Sequence, residues 1–233
     1  MPRDLPLGEK HLNLKASCAL ARGRDREVHL VDGHPELLIK VVFPPNFRKY
    51  YSPVKRFIDR LFPSRIYRVL FRESDCYIRT KIAQLNSPGP FPLSEFHGLM
   101  ITNLGLASIV EKISDEQGNI GPTLQEIYNS GKFDELHLKC LNEFACRLLD
   151  LNIVASDLSP HNIVLGFRNG KKEFVLVDGA EDINLIPIRK WSRLLNIRSL
   201  NNQLQKLGER VHLEWNVRSR EFRIPESKER TAG

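Results

Sequence analysis

The chain has 233 residues, 41% of them hydrophobic, and a formal net charge of +7. That is enough apolar material for one large domain or two small lobes, and it excludes a chain disordered throughout. No apolar run approaches the roughly 18–20 residues needed to span a bilayer, and the start, Met1-Pro2-Arg3-Asp4-Leu5-Pro6, lacks the apolar core of a signal peptide, so a soluble, cytoplasmic protein is expected.

In chain order, short apolar runs at 16–20, 27–31 and 37–43 read as strands. Arg22-Gly23-Arg24-Asp25 and Asp32-Gly33-His34-Pro35 separate them. Residues 65–85 carry Ile66, Val69, Leu70, Cys76, Tyr77, Ile82 and Leu85 at helical spacing, and Asn86-Ser87-Pro88-Gly89-Pro90 ends that helix. Residues 98–101 and 106–113 read as a strand pair, and Asp115 to Asn119 as a turn. Thr123 with Glu126 forms a capping-box pattern. A longer helix is expected over 134–152, with Leu138, Leu141, Phe144, Ala145, Leu148 and Leu149 on one side. Two helical stretches are expected near 188–195 and 199–207, followed by a polar end. The order predicts an α+β fold: a small sheet lobe, then a mainly helical lobe, hinged near Glu111-Lys112-Ile113.

Cys18, Cys76, Cys140 and Cys146 include no C-x-x-C pair, so buried thiols are expected rather than disulfides or zinc ligands. The charge is uneven. Residues 47–72 hold eight Lys or Arg against Asp59, and 189–233 hold eleven against five Glu. Such stretches are either solvated faces or attract an anionic partner: an anionic glycan, an anionic membrane surface or nucleic acid. Aromatic residues are not interleaved with them as a base-stacking platform requires, which weighs against nucleic acid.

The most informative segment is Val154-Ala155-Ser156-Asp157-Leu158-Ser159-Pro160-His161-Asn162, followed by Phe174-Val175-Leu176-Val177-Asp178-Gly179. Asp157 precedes Asn162 by five residues, and Asp178 ends an apolar run sixteen residues further on. Three oxygen side chains held in this way can orient a hydroxyl and hold magnesium on a nucleoside triphosphate. His161 has no His or Cys at ligand spacing, so a packing or hydrogen-bonding role is expected for it.

Together with Leu20-Ala21-Arg22-Gly23-Arg24, Leu38-Ile39-Lys40-Val41-Val42, Phe71-Arg72-Glu73-Ser74 and Leu185-Ile186-Pro187 before Trp191-Ser192, this pattern resembles a reduced protein-kinase-like fold. Within it, the chain resembles the bacterial YrbL family of the PhoP regulatory network. The resemblance implies a bilobal fold, with residues 1–113 as an antiparallel-sheet lobe with one helix, 114–233 as a shortened helical lobe, and ATP between them. It implies that Lys40 reaches the nucleotide phosphates and that Glu73, or failing it Asp75, pairs with Lys40. Gly23 lies in the phosphate-covering loop, and Glu111 and Ile113 border the nucleotide at the hinge. Asp157 orients the acceptor hydroxyl, and Asn162 and Asp178 bind Mg²⁺. The implied acceptor is a sugar hydroxyl of a lipopolysaccharide-type glycan, with a protein Ser or Thr as second choice.

The chain also departs from the kinase pattern. Ala155 stands where kinases carry a His, Asp178-Gly179-Ala180 replaces Asp-Phe-Gly, and no Ala-Pro-Glu follows. Only Gly23 remains of the glycine loop, so Arg22, Arg24 or Arg26 either contacts phosphate in its place or is an exposed turn residue. These departures favour a minimal kinase or, alternatively, a module that binds nucleotide and acts as a regulator or scaffold.

Overall fold

The computed structural model describes residues 12–14, 19–22, 26–42, 61, 67–180 and 192–225. Gly23, Arg24, Cys18, most of the basic stretch from 47 and the segment 181–191 lie outside the described residues. The chain divides into two compact units. One comprises Met1–Tyr77 and Ser94–Lys112, the other Ile78–Leu93 and Ile113–Gly233.

The first unit is built on a five-stranded antiparallel sheet. Its strands are β1 (Ala19–Arg22), β2 (Arg26–Val31), β3 (His34–Val42), β4 (Phe96–Thr102) and β5 (Gly105–Glu111), in the order β1-β2-β3-β5-β4. Side chains alternate between the faces of a strand, and this sorts β3 cleanly. Leu37, Ile39 and Val41 join Val31, Met100, Ala107 and Ile109 in a buried cluster on one face, against Leu12, Leu14 and Leu104. Val42 lies on the other face with Leu70, Tyr67, Val69 and Leu106. Leu70 belongs to helix α1 (Arg68–Asn86), so Lys40, two residues before Val42, shares the helix-facing side. Burying one such Leu or Val side chain contributes about 1.5–3 kcal/mol. The Asn103 side chain fixes residue 14 by accepting from its N–H at 2.7 Å and donating to its carbonyl at 3.0 Å.

The second unit contains α2 (Leu124–Asn129), α3 (Glu135–Asp150), the hairpin β6 (Ile163–Arg168) and β7 (Lys171–Leu176), α4 (Arg193–Arg210), and the hairpin β8 (Glu214–Asn216) and β9 (Glu221–Arg223). The expected Thr123/Glu126 capping box is present. A second box caps α3, where Asp134 accepts from the backbone of His137 and the His137 ring faces back. That hydrogen bonding holds the Asp134 carboxyl below its ordinary pKa. One face of α3 buries Cys140, Leu141, Phe144, Ala145, Leu148 and Leu149.

Two local expectations are corrected. The described part of the C-terminal helical region is one helix, not two: Asn196, Leu200, Leu204 and Leu207 keep a continuous buried stripe across 196–198, where a break was expected. The sequence reading also missed the β8–β9 hairpin. Its strands are three residues each, too short for a period-2 signal. Asn216 closes the turn by accepting from Arg218 and Ser219, and Phe222 is buried against Trp215 at a centroid separation of 4.8 Å.

Cys76, Cys140 and Cys146 are free thiols. Burial raises the pKa of Cys140 and of Cys146 above the ordinary value, which makes their thiolates scarce at neutral pH. No helix among the described residues is long and apolar enough to cross a membrane.

Candidate functional site

The site in the second unit is assembled from three short segments. Helix α3 stops at Asp150, and Asn152 turns the chain with φ +50°. Ile153, Val154, Ala155 and Leu158 are buried, which anchors the loop, while Asp157 between them is exposed. Ala155, the position of the missing His, is filled by core packing. Pro160-His161-Asn162 forms one 3-10 turn, with Pro160 at its start, where the missing N–H costs nothing. Strand β6 begins at the next residue.

The β6–β7 ladder then sets the position of Asp178. The Val177 N–H donates to the Asn162 carbonyl at 2.9 Å, just beyond the Ile163–Leu176 pair. Asp178 therefore leaves the hairpin beside Asn162. The Asn162 amide nitrogen donates to Asp157 Oδ2 at 3.2 Å. Asp178 Oδ1 accepts from the Gly179 N–H at 2.7 Å. The Gly179 carbonyl in turn accepts from the Ser156 N–H at 2.8 Å and from its hydroxyl at 3.3 Å. Asp157, Asn162 and Asp178 are thus joined through hydrogen bonds of their own and of their chain neighbours.

Gly179 is required here for two reasons. Its φ is +83°, and a Cβ built on it would lie 2.5 Å from the Asp157 carbonyl oxygen. The first is a tight turn, which glycine adopts without strain. The second, the close approach of two chain segments, needed the fold to be seen.

Two further residues act on this loop from α4, and the sequence reading did not find them. The Asn196 amide nitrogen donates at 3.0 Å to the Asn152 carbonyl, the Asn152 side chain and the Ile153 carbonyl. Gln203, seven residues on, donates to the Ser156 carbonyl at 2.8 Å. Asn196 is fully buried, and its own side-chain oxygen has no hydrogen-bond partner among the described residues. The available signal is two amides seven residues apart on one helix face, which without the tertiary contact look like solvent-facing side chains. Asn196→Ala is expected to cost about 2–3 kcal/mol by stranding buried carbonyls, lowering the thermal midpoint by several degrees. A midpoint within a degree of wild type would show that these bonds hold nothing.

The predicted residues of the first unit are placed as follows. Lys40 is 8% exposed, with Val28 opposite it on β2 and Ser108 opposite on β5. The buried Ser108 hydroxyl has no hydrogen-bond partner among the described residues. Glu73 on α1 forms an ion pair with Arg26, and both side chains are largely buried. The Glu111 carboxylate accepts from the Glu95 N–H at 3.0 Å, and its N–H donates to the Glu95 carbonyl at 2.8 Å. Tyr77 donates to Glu95, and burial first, then this bond and the carboxylate charge, raise the Tyr77 pKa far above the ordinary phenol value. In the second unit, Ile113 packs with Val164, Val175 and Val177, and its carbonyl accepts from Gly121 at 2.9 Å. His161 is exposed.

The donor set suits a hard cation. The Asn162 nitrogen donates to Asp157, so the amide oxygen is the atom that could ligate a cation together with the Asp178 carboxylate. Oxygen ligands of this kind fit Mg²⁺ rather than zinc. No group of three or more His, Cys, Asp or Glu suited to a metal is gathered among the described residues. A cavity of about 490 Å³ in the same unit, lined by Ile127, Lys132, His137, Leu165 and Phe167 among others, includes none of Asp157, Asn162 and Asp178.

Among solved structures, a co-crystal structure of WbdD with the kinase inhibitor LY294002 resembles the chain at 14% identity and a TM-score of 0.40. The match covers 78% of this chain and 37% of that one, so the chain spans well under half the length of this neighbour. No curated protein matches. The sequence profile described as PhoP regulatory network protein YrbL matches residues 12–212. With most of its length matched in this way, the chain belongs to the YrbL family of PhoP regulatory network proteins.

Proposed function

We propose that this protein is an ATP- and Mg²⁺-dependent phosphotransferase with a hydroxyl group as acceptor. The observation that carries the reading is the joining of Asp157, Asn162 and Asp178, with the Asn162 amide on Asp157 at 3.2 Å. Asp157 is the exposed member; its carboxylate accepts the proton of the acceptor hydroxyl and aligns the oxygen for attack. The Asn162 bond leaves that carboxylate few orientations. Asn162 and Asp178 would hold magnesium, which neutralises phosphate charge when bound. Lys40, at the end of an apolar strand, binds the α- and β-phosphates. Glu111 and Ile113 offer backbone groups to the base. In this reading residues 1–113 hold the nucleotide and 114–233 supply the acceptor chemistry.

The preferred acceptor is a sugar hydroxyl on an anionic glycan, with a protein Ser or Thr as the second choice. The basic stretches draw such an acceptor, or an anionic membrane surface, to a protein working in the cytoplasm. Removing the Lys40 cation by Lys40→Ala is expected to lower kcat/KM for ATP by about 100-fold, the scale for losing one preorganised charge contact. Steady-state ATP consumption with and without a glycan acceptor measures it, and unchanged kinetics would remove Lys40 from the site.

A second reading is favoured by the single glycine of the segment 21–28 and by Asp178-Gly179-Ala180. It makes the protein a regulatory module that binds nucleotide without turning it over. Both readings require binding. At a nucleotide concentration 100 times Kd, the native state gains about 2.7 kcal/mol, so ATP with Mg²⁺ is expected to raise the thermal midpoint by several degrees. A shift without phosphoryl transfer selects the second reading, and no shift at millimolar ATP removes both.

A further inference from the structure

We propose that Arg26 is a second phosphate-binding residue of the nucleotide site, acting beside Lys40 and held by Glu73, in place of the backbone amides of a glycine-rich loop. The proposal rests on the reading of Lys40 as a phosphate ligand.

The strand register separates the arginines around Gly23. Arg22 pairs across the ladder with Glu27 and forms an ion pair with it. Glu27 lies opposite Val41, on the sheet face that carries the Ile39 and Val41 cluster. Arg22 is therefore engaged on the face away from Lys40. Arg24 lies outside the described residues. Arg26 lies opposite Val42, and Val28 opposite Lys40. Residues two apart on a strand share a face, so Arg26, Lys40 and Val42 all project towards α1.

Glu73 completes the arrangement. It follows Leu70, which packs on Val42, by three residues along the helix. Its carboxylate accepts from one terminal nitrogen of Arg26, with the two side chains 18% and 17% exposed. A guanidinium has five donors in a fixed fork, so a carboxylate contact sets the plane in which it can meet an oxyanion. One strand over and two residues along places Arg26 about 8 Å from Lys40 between Cα atoms. Both side chains have stems long enough to meet one polyphosphate from that separation. A guanidinium pre-set by a carboxylate loses little freedom on binding phosphate oxygens. That supplies what the loop lost with its glycines.

The bland alternative is a clamp tying β2 to α1, and binding selectivity separates the two. Calorimetric titration with ATP, ADP and adenosine, all with Mg²⁺, is compared between wild type, Arg26→Ala and Arg26→Gln. The Gln variant keeps a donor for Glu73 and guards against a folding failure. The expected result is ATP and ADP binding weakened about 10-fold or more in both variants, the loss of one charge-assisted phosphate contact, with adenosine unchanged. Equal weakening of all three ligands identifies a clamp and overturns the proposal. ATP binding at wild-type strength in both variants overturns it as well, while leaving the phosphotransferase reading intact. A wild-type protein that binds adenosine but neither ATP nor ADP overturns both.

Discussion

Asp157→Ala and Asp178→Ala are each expected to reduce phosphoryl transfer by about 10³-fold or more, by different routes. Loss of a positioned general base typically costs 10²–10⁴-fold. Asp157 is exposed and, among the described residues, its carboxylate carries one side-chain hydrogen bond, from Asn162. Its removal should therefore leave nucleotide binding and the thermal midpoint close to wild type. Asp178 should behave differently. In the proposed reading it would supply an anionic ligand to magnesium, and it also accepts the Gly179 N–H. Asp178→Ala is expected to weaken ATP binding in Mg²⁺ while leaving adenosine binding, which needs no metal, unchanged. Transfer assays with isotopically labelled ATP, read beside calorimetry, separate the two. If both variants turned over like wild type, neither carboxylate would belong to the chemistry.

Gly179→Ala is expected to be strongly damaging although it removes no functional group. The backbone stands at φ +83°, where a side chain is strained, and the new methyl would sit 2.5 Å from the Asp157 carbonyl oxygen. Strain and overpacking together cost about 2–4 kcal/mol. The chain relieves the contact by separating the 155–157 loop from the 178–180 turn. That movement breaks the Ser156–Gly179 bonds and shifts Asp157, and a displacement of about 1 Å at a catalytic group can cost 100-fold in rate. Stability and kcat should therefore fall together, with KM for ATP less affected. A Gly179→Ala protein with wild-type midpoint and kcat would show that the two segments do not need this close approach.

The nearness of Asp157, Asn162 and Asp178 was legible in the sequence because its signals are local. Asp157 to Asn162 is a five-residue spacing fixed by one loop and one 3-10 turn, and Asp178 is placed by a hairpin whose strands are apolar runs. Lys40 was legible because strand alternation puts it on a definite face. The partners were not legible. Glu73 was expected to meet Lys40, and the structure places it on Arg26, a contact set by how α1 lies on the sheet rather than by spacing. Asn196 and Gln203 hold the 152–156 loop from more than forty residues away. Nothing in their immediate neighbourhood distinguishes them from solvent-facing amides. The unbroken α4 and the β8–β9 hairpin were missed for a related reason, since tertiary burial of Leu200, Leu204 and Phe222 decides them.

The central claim is that Asn162 and Asp178 hold one magnesium ion on the phosphates of a nucleotide. A crystal structure with a non-hydrolysable ATP analogue and Mg²⁺ tests it most directly. The account predicts one metal bound by the Asn162 amide oxygen and the Asp178 carboxylate at about 2.0–2.1 Å, bridging phosphate oxygens with Asp157 unliganded beside it. Nucleotide bound with no metal at these two residues, or metal held elsewhere, would contradict it.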